Sequence, residues 1–362
     1  MINKVTFFYP YQDEVDRIGA LNLREPEFWS QEGVERRRAW VLQTYLWLRH
    51  FGYDVQISTT LPPEGIVVVL PEAPSLKAFN QQYGARHRHL MIVTIRADVQ
   101  GFRSLLGDVD ITQNGRFADD RRTYFVPHWP QPGLIPRDPA RGTTIEHIVF
   151  KGGFGSLSDE FRSPEWKAEL DRRNLQFHIS SAETEGAVPN WHDYRTADLN
   201  LAVRPAFDDG GLRCEKPASK LVNAWHAGVP SLLGREYAFR ELREHALDYL
   251  EVTTAREALA AIDRLLDSPS LYRRMVRRAQ RRARDFTPER IAERWAAVLF
   301  EHVPQIAQQS SFRWSRRLPM PVRRTVNFAL SPPSLHELRK RSGHTLRRLQ
   351  ARLPGADAHD RM

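Results

Sequence analysis

Short apolar runs alternate with a longer amphipathic stretch in the first third of the chain. The runs at 4–10, 65–71 and 89–98 are nearly continuous in apolar residues, whereas 33–52 repeats apolar residues at helical spacing and closes on a glycine. Continuous apolar runs of this length are typical of parallel strands buried on both faces. With further strands predicted at 53–59 and 109–115, this part of the chain is expected to be a doubly wound α/β domain.

A proline-rich stretch at 125–142 interrupts the alternation, and proline can continue neither a helix nor a central strand. Beyond it the pattern restarts, with strands predicted at 145–153, 175–180, 198–205, 229–234 and 247–253, and helices at 163–174, 190–197, 218–228, 255–268 and 288–303. The sequence therefore predicts two Rossmann-like domains facing a cleft, with a basic C-terminal extension. The predicted boundaries are 1–126, a linker at 127–142, a second domain at 143–304 and a tail at 305–362.

Composition narrows the class of protein. The chain has 362 residues, 41% hydrophobic, with no apolar window long enough to span a membrane, which favours a folded soluble protein of two domains. Its first residues resemble a strand rather than a signal peptide. The single cysteine, Cys214, excludes an internal disulfide, so a cytoplasmic location is expected.

Positive charge is concentrated in the tail. The chain carries a net charge of +9, and the segment 312–352 alone holds eleven basic residues and one acidic residue. Leucines between 335 and 353 fall on one helical face beside these arginines, so we expect contact with an anionic membrane surface. Docking of the tail on the first domain and a solvated tail are the alternatives, and nucleic acid is the less favoured partner.

The stretch "EKPASKLVNAWHAGVP" at 215–230 places two lysines where a helix begins. Lys216 and Lys220 are four residues apart, with Ser219 between them and Gly210 and Gly211 in the loop before them. A helix N-terminus offers free N–H groups and the positive end of the helix dipole, so this arrangement suits a phosphate group. A solvated helix start is the alternative.

The order "YRTADLNLAVRP…EKPASKLVNAWHAGVP" resembles the donor half of GT-B glycosyltransferases, over about 145–303. In their retaining branch a Glu-x7-Glu pattern precedes Gly-Val-Pro. Glu215 stands at its first position and Asn223 at its second, which leaves the stereochemical outcome open. The resemblance implies a nucleotide-sugar donor, a glycan or glycolipid acceptor in surface polysaccharide assembly, and no metal or other cofactor. It also implies that Lys216, Ser219 and Lys220 hold the diphosphate, while Glu215 and Asn223 contact the sugar or ribose.

Other donor-site residues are predicted from strand ends. Lys151 and Gly153 lie in the glycine turn "FKGGFGS", and Arg204 follows the strand at 198–205. The alternatives are a tight turn with a surface lysine, and an ion pair from Arg204 to Asp208 or Asp209. The Asp108-Val109-Asp110 triplet is interpreted as a turn before a strand, not a metal site.

The first domain is expected to supply an acceptor site and a catalytic base. Asp98 is the first choice for the base because it ends a buried strand; Asp13, beside Glu14, is the second. His128 and Trp129 are predicted acceptor contacts, and Trp29 and Trp191 are further stacking candidates. Ordinary caps, ion pairs and core packing are the alternatives. A sugar-nucleotide epimerase and a non-catalytic binding protein with a nucleic-acid-binding tail remain alternative functions.

Overall fold

The computed structural model describes residues 4–20, 23, 36–97, 106–181, 190–205, 216–309, 313–314 and 317–330. Two separate parallel β-sheets organise this part of the chain. None of the helices within these ranges combines the length and apolar character needed to cross a membrane. The two Rossmann-like domains predicted from the apolar pattern are confirmed.

The first sheet has six strands in the order β2-β1-β3-β4-β5-β6, all parallel. Its strands are β1 (Val5–Phe8), β2 (Val55–Ser58), β3 (Ile66–Val69), β4 (Met91–Ile95), β5 (Val109–Thr112) and β6 (Thr123–Phe125). Every residue of β1, β3, β4 and β5 is buried, as expected for strands covered on both faces.

The second sheet has five strands in the order β11-β10-β9-β7-β8, again all parallel. They are β7 (His147–Lys151), β8 (Gln176–Ser180), β9 (Leu199–Ala202), β10 (Ser231–Leu233) and β11 (Leu250–Glu251). The chain leaves β7 to form β8 on one side and returns to form β9 on the other. The strand order therefore reverses between β7 and β9.

Helices cover both sheets. In chain order they are α1 (Gln12–Val15), α2 (Gln43–His50), α3 (Ala73–Gln82), α4 (Pro164–Asp171), α5 (Ser219–Ala227), α6 (Tyr237–Glu241), α7 (Ala255–Leu266), α8 (Pro269–Ala283), α9 (Pro288–Ala296), α10 (Val303–Gln308) and α11 (Met320–Leu330). Short π-helical segments, Arg38–Leu42 and Ala297–His302, precede α2 and join α9 to α10.

Local signals in the sequence explain several helix ends. The side chain of Ser163 caps α4 by accepting a bond from the backbone N–H of Trp166 (3.1 Å), and Pro164 is the first helical residue, as predicted. Helix α5 ends where Gly228 adopts a left-handed conformation (φ 68°), which glycine enters without steric cost. The predicted Gly-Val-Pro stop is therefore confirmed.

The helix predicted at 190–197 is wrong. The described residues there run in irregular structure, because the Ile135 N–H donates to the carbonyl of His192 (2.9 Å) and the Ile135 carbonyl accepts from the N–H of Tyr194 (3.0 Å), which ties this segment to the linker. Helices α3 and α8 and strand β6 were not anticipated from the sequence. In α8 the inward residues are apolar, but a high density of arginine masks their periodicity.

The helices that end the predicted second domain pack on the first sheet. They contribute to the buried core that is formed by residues of β1, β3 and β4, through the side chains of Ile291, Trp295, Leu299 and Val303. The packing thus differs from the domain assignment expected for 288–304. A helix amphipathic enough to be recognised from sequence does not reveal which sheet its apolar face meets.

The beginning of the tail is docked on the first domain. Helix α11 inserts Arg323 into a site with no exposed surface, where its guanidinium binds Asp108, itself fully buried, and the carbonyl of Leu90 (2.8 Å). Tyr83 lies at hydrogen-bond distance as well (3.2 Å). The predicted amphipathic segment of the tail, 335–353, lies outside the described residues.

Replacing Arg323 by Met should lower the free energy of unfolding by about 3–5 kcal/mol, because it strands the Asp108 carboxylate in the interior. Urea denaturation measures this change. Arg324→Met is the matched control, since Arg324 bonds Asn80 at the surface (2.9 Å), and should cost less than about 0.5 kcal/mol. The double variant Arg323→Met/Asp108→Asn should recover part of the loss. An unchanged stability in Arg323→Met would contradict the anchoring role of this pair.

Candidate functional site

Basic residues gather where the strand order of the second sheet reverses. Lys151 is the last residue of β7, and Arg204 follows the end of its neighbour β9. In open parallel sheets, ligands bind outside the carboxyl ends of the strands at such a reversal, where the connecting loops diverge. The topology thus brings together two residues that are 53 positions apart in the sequence.

Helix α5 starts beside these strand ends. It begins at Ser219, and Ala218 at the capping position supplies no side-chain oxygen to its first turn. Lys220 is the second helical residue. The Leu221 N–H donates to the carbonyl of Ala218 (3.0 Å), whereas the N–H groups of Ser219 and Lys220 have no capping side chain, as at helix N-termini that bind anions.

A cavity of about 250 Å³ lies at this edge, between the two domains and the linker. Seven of the residues predicted for the site line it: Lys151, Gly153, Ser219, Lys220, Asn223, His128 and Trp129. Gly152, Trp191 and Tyr194 complete the wall on the second domain, and Ala39 and Gln43 contribute from the first. The structure thus assembles residues from both domains around one space.

Gly152 makes room for Lys220. A methyl group at position 152 would come within 2.5 Å of the Lys220 ammonium nitrogen, and the backbone there has a φ of 152°, which L side chains rarely adopt. The Lys220 ammonium lies 5.2 Å from the centre of the Phe150 ring. Among the described residues it has neither a hydrogen-bond acceptor nor an ion-pair partner.

The electrostatic environment disfavours charge on both lysines of the cavity. Burial, followed by the nearby charges of Arg204 and Lys216, lowers the pKa of Lys220 to about 7, while Glu236 acts in the opposite direction. Burial also lowers the pKa of Lys151 to about 8, and its ammonium donates to the carbonyl oxygen of Asn190. An anion in the cavity would favour the charged form of both lysines.

Arg204 is fixed by a carboxylate that the sequence did not suggest. Its guanidinium pairs with Glu236, which follows β10, and the two side chains are 8% and 3% exposed. Asp208 and Asp209, the partners considered from the sequence, lie outside the described residues. Glu236 sits at the carboxyl edge of the same sheet as Arg204, so its position after a predicted strand was the available signal.

Asn223 contacts the linker. Its side-chain oxygen accepts a bond from the backbone N–H of Gln131 (2.9 Å), so the linker is held against α5 at the cavity. From the first domain, the Gln43 amide donates to the carbonyl of Pro130 (3.3 Å). The position that holds a second glutamate in the resembling family therefore has a junction role here, beside any contact with a ligand.

The two predicted acceptor contacts differ in access. Trp129 is 2% exposed, and its indole N–H donates to Thr44 (2.8 Å), which supports the core-packing alternative for this ring. His128 is half-buried at the cavity, with its ring edge-on to Trp40 at 4.2 Å between centroids. Trp191 also borders the cavity and donates to the carbonyl of Ser180 (3.0 Å).

Of the three predicted catalytic carboxylates, Asp13 lies within the described residues. Asp98 and Glu215 lie outside the described residues, as does Trp29. Asp13 is exposed on α1 and does not line the cavity, and its neighbour Glu14 binds Arg37 (2.9 Å) and Arg38 (3.2 Å).

The Asp108-Val109-Asp110 triplet is buried. Asp110 accepts a bond from Thr94, and Asp108 is engaged by Arg323. Strand β5 begins at Val109, so Asp110 lies within the strand and Asp108 immediately before it. Within the described ranges, no three His, Cys, Asp or Glu side chains are grouped so that they could hold a metal ion.

A second contact joins the domains at the far side of the cleft. The Glu241 carboxylate lies against the backbone of Gly115 and Arg116, in the turn after β5. Burial raises the pKa of Glu241 to about 7, and the nearby backbone N–H groups act against the rise. This contact could not be predicted from the sequence, because it depends on how the two domains face each other.

Comparison with known proteins identifies the fold. No family model matches the chain, and no curated protein does. A solved glycosyltransferase from Rickettsia africae is 10% identical with a TM-score of 0.52, over 85% of this chain and 99% of that chain. The chain has the GT-B fold. The fold predicted from the resemblance at 194–230 is therefore confirmed.

Two further GT-B structures are similar at lower scores. HepE of Anabaena, solved in complex with UDP and glucose, is 14% identical with a TM-score of 0.46, over 82% of this chain and 99% of that chain. Sucrose-phosphate synthase from Thermosynechococcus elongatus is 11% identical with a TM-score of 0.47, over 82% and 98%. All of these identities are low, so function depends on the site.

Replacing Lys220 by Met should raise the free energy of unfolding at pH 7 by about 1–2 kcal/mol. The folded chain binds fewer protons than the unfolded chain between pH 7 and about 10, since the folded pKa of Lys220 is low; stability therefore rises with pH in this window. Lys220→Met should flatten that rise, measured by urea denaturation at several pH values. Lys167→Met, which removes an exposed lysine of α4, should leave the slope unchanged. A slope that Lys220→Met does not alter would exclude the desolvation of this ammonium.

Proposed function

We propose that this protein is a metal-independent glycosyltransferase that moves a sugar from a nucleotide-sugar donor to a glycan or glycolipid acceptor. The observation that carries the proposal is the Lys220 ammonium, which borders a cavity at the strand-order reversal without an acceptor among the described residues. A pyrophosphate placed there would meet Lys220, Lys151 and the first turn of α5.

Glycosyl transfer requires stabilisation of the charge that develops on the leaving nucleoside diphosphate. Lys151 and Lys220 would supply two cations from the second-domain side of the cavity, and Lys216 a third from the residues before α5. Ser219 and Gly153 would offer short donors close to the same phosphates. Arg204 would lie behind them as a further donor-site residue, with its charge largely offset by Glu236. These groups provide the neutralisation for which other enzymes recruit a divalent cation, which supports the metal-independent part of the proposal.

The remaining roles follow from the resemblance. Glu215 and Asn223 would contact the donor sugar or ribose, and the Asn223 amide nitrogen is directed by the bond that fixes its oxygen to Gln131. Asp98, and after it Asp13, are the proposed bases for the acceptor hydroxyl. His128 would bind the acceptor at the opening of the cavity. Trp129 could contact the acceptor only through the part of its ring that borders the cavity, because the rest of the indole is in the core.

The acceptor class is proposed from the charge of the tail. The basic residues between 312 and 352 other than the buried Arg323 suit the anionic inner face of a cell membrane, where a lipid-linked glycan would be extended. The protein would then act in surface polysaccharide assembly as a cytoplasmic enzyme attached peripherally to that membrane.

Thermal unfolding with UDP, GDP, CDP and the corresponding sugar nucleotides, in the presence of EDTA, tests the donor site. One nucleotide should raise the midpoint by several degrees at 1 mM, because a ligand that binds only the folded chain stabilises it. The double variant Lys151→Met/Lys220→Met should abolish the shift, and Lys167→Met should retain it.

Turnover of the bound sugar nucleotide then separates the alternatives. Release of the nucleoside diphosphate supports transfer, conversion of the sugar indicates an epimerase, and binding without turnover indicates a non-catalytic protein. A folded chain that responds to none of these nucleotides would overturn the proposal.

A further inference from the structure

The outer face of α8 carries a stripe of arginines. Arg273, Arg274, Arg277, Arg281 and Arg284 are all exposed, and no ion pair or hydrogen bond engages their side chains within the described ranges. At 100° per residue they occupy a sector of about 100° over roughly 16 Å of helix. We call these five residues the α8 stripe. Between 269 and 284 the chain contains seven arginines and no acidic residue.

The two other arginines of this helix are engaged by partners within the fold. Arg278 binds Asp248 (2.6 Å) and Glu244 (3.0 Å). Arg282 is buried, binds Asp285 (2.6 Å) and lies 5.0 Å from the centre of the Trp225 ring on α5. The α8 stripe lacks such partners, and its members repel one another at a spacing of four residues, which weakens a helix. Folding therefore does not explain the stripe.

We propose that the α8 stripe is a docking surface for an anionic lipid bilayer, separate from the tail. Five guanidinium groups in one sector of a convex helix can approach a flat surface together, and each basic residue near such a surface adds to binding. A single-stranded nucleic acid would require exposed aromatic rings for base stacking, and none of the aromatic side chains described between 255 and 309 is highly exposed.

The position of the stripe gives the contact a consequence that rests on the proposed function. Helix α8 packs directly on α5 through Arg282 and Trp225, and α5 carries Lys220 at its start. Neighbouring helix axes are about 8–10 Å apart. Docking through the stripe would therefore hold the donor-binding helix one layer from the lipid headgroups, where a glycolipid acceptor resides.

Vesicle co-sedimentation of the full-length chain tests the proposal, using phosphatidylcholine alone and phosphatidylcholine with one third phosphatidylglycerol. The variant Arg273→Glu/Arg277→Glu/Arg281→Glu should bind the anionic vesicles about 100-fold more weakly at 0.1 M salt. The control Arg17→Glu/Arg49→Glu/Arg121→Glu makes the same change in net charge at exposed positions of the first domain and should lose less than about 5-fold. The corresponding triple lysine variant should bind like the unchanged chain.

Thermal unfolding with UDP, GDP and CDP is measured on the same variants, so that loss of the lipid contact is distinguished from failure of the donor site or of folding. Equal losses in the two glutamate variants would overturn the stripe as a docking surface, because total charge alone would then explain binding. Retained vesicle binding in the α8 variant would do the same. Stripe-dependent binding to a DNA duplex without binding to anionic vesicles would assign the surface to nucleic acid instead.

Discussion

Positive charge held in partial desolvation at the carboxyl edge of the second sheet is the constraint that organises this molecule. The Lys220 ammonium lies against Gly152 at the cavity, and Lys151 is the last residue of β7 at the same edge. Burial opposes the charged form of both. Such an arrangement weakens the folded state unless an anion binds, so the cores on either side must offset its cost. Folding alone does not require two desolvated lysines at this edge, which favours a binding role for the site.

Local signals predicted what short stretches of sequence determine. The apolar runs gave the strands, Ser163-Pro164 and Gly228 gave helix ends, and the lysine spacing at 216 and 220 marked a helix start that does border the cavity. The partners that fix these groups could not be predicted, because they come from distant elements. Glu236 reaches Arg204 from the next strand of the sheet, and Trp129, which was expected to be accessible, is enclosed by α2.

The relation between the domains also depends on contacts that are distant in sequence. The linker is held on one side by Asn223 and on the other by Gln43, and its end is clamped where Arg137 and Arg141 bind the buried Asp198 before β9 (2.7 and 2.8 Å). Helix α9 then returns to the first core. The proline-rich linker alone suggests two independent domains. These contacts show instead that each domain packs against segments of the other.

A count of charges along the sequence does not distinguish exposed basic residues from those paired in the interior. Arg323 belongs to the basic segment by count, but Asp108 neutralises it in the interior, so it cannot attract a membrane. The net charge of the rest of the protein is close to zero, yet α8 exposes a row of arginines that pair with none of the described acidic residues. Net charge indicates a binding partner only once the basic residues that pair with carboxylates have been separated from those that do not. Under the proposed docking, the exposed arginines of a rigid helix would orient the protein on a membrane, and the count of charges in the tail does not reveal that surface.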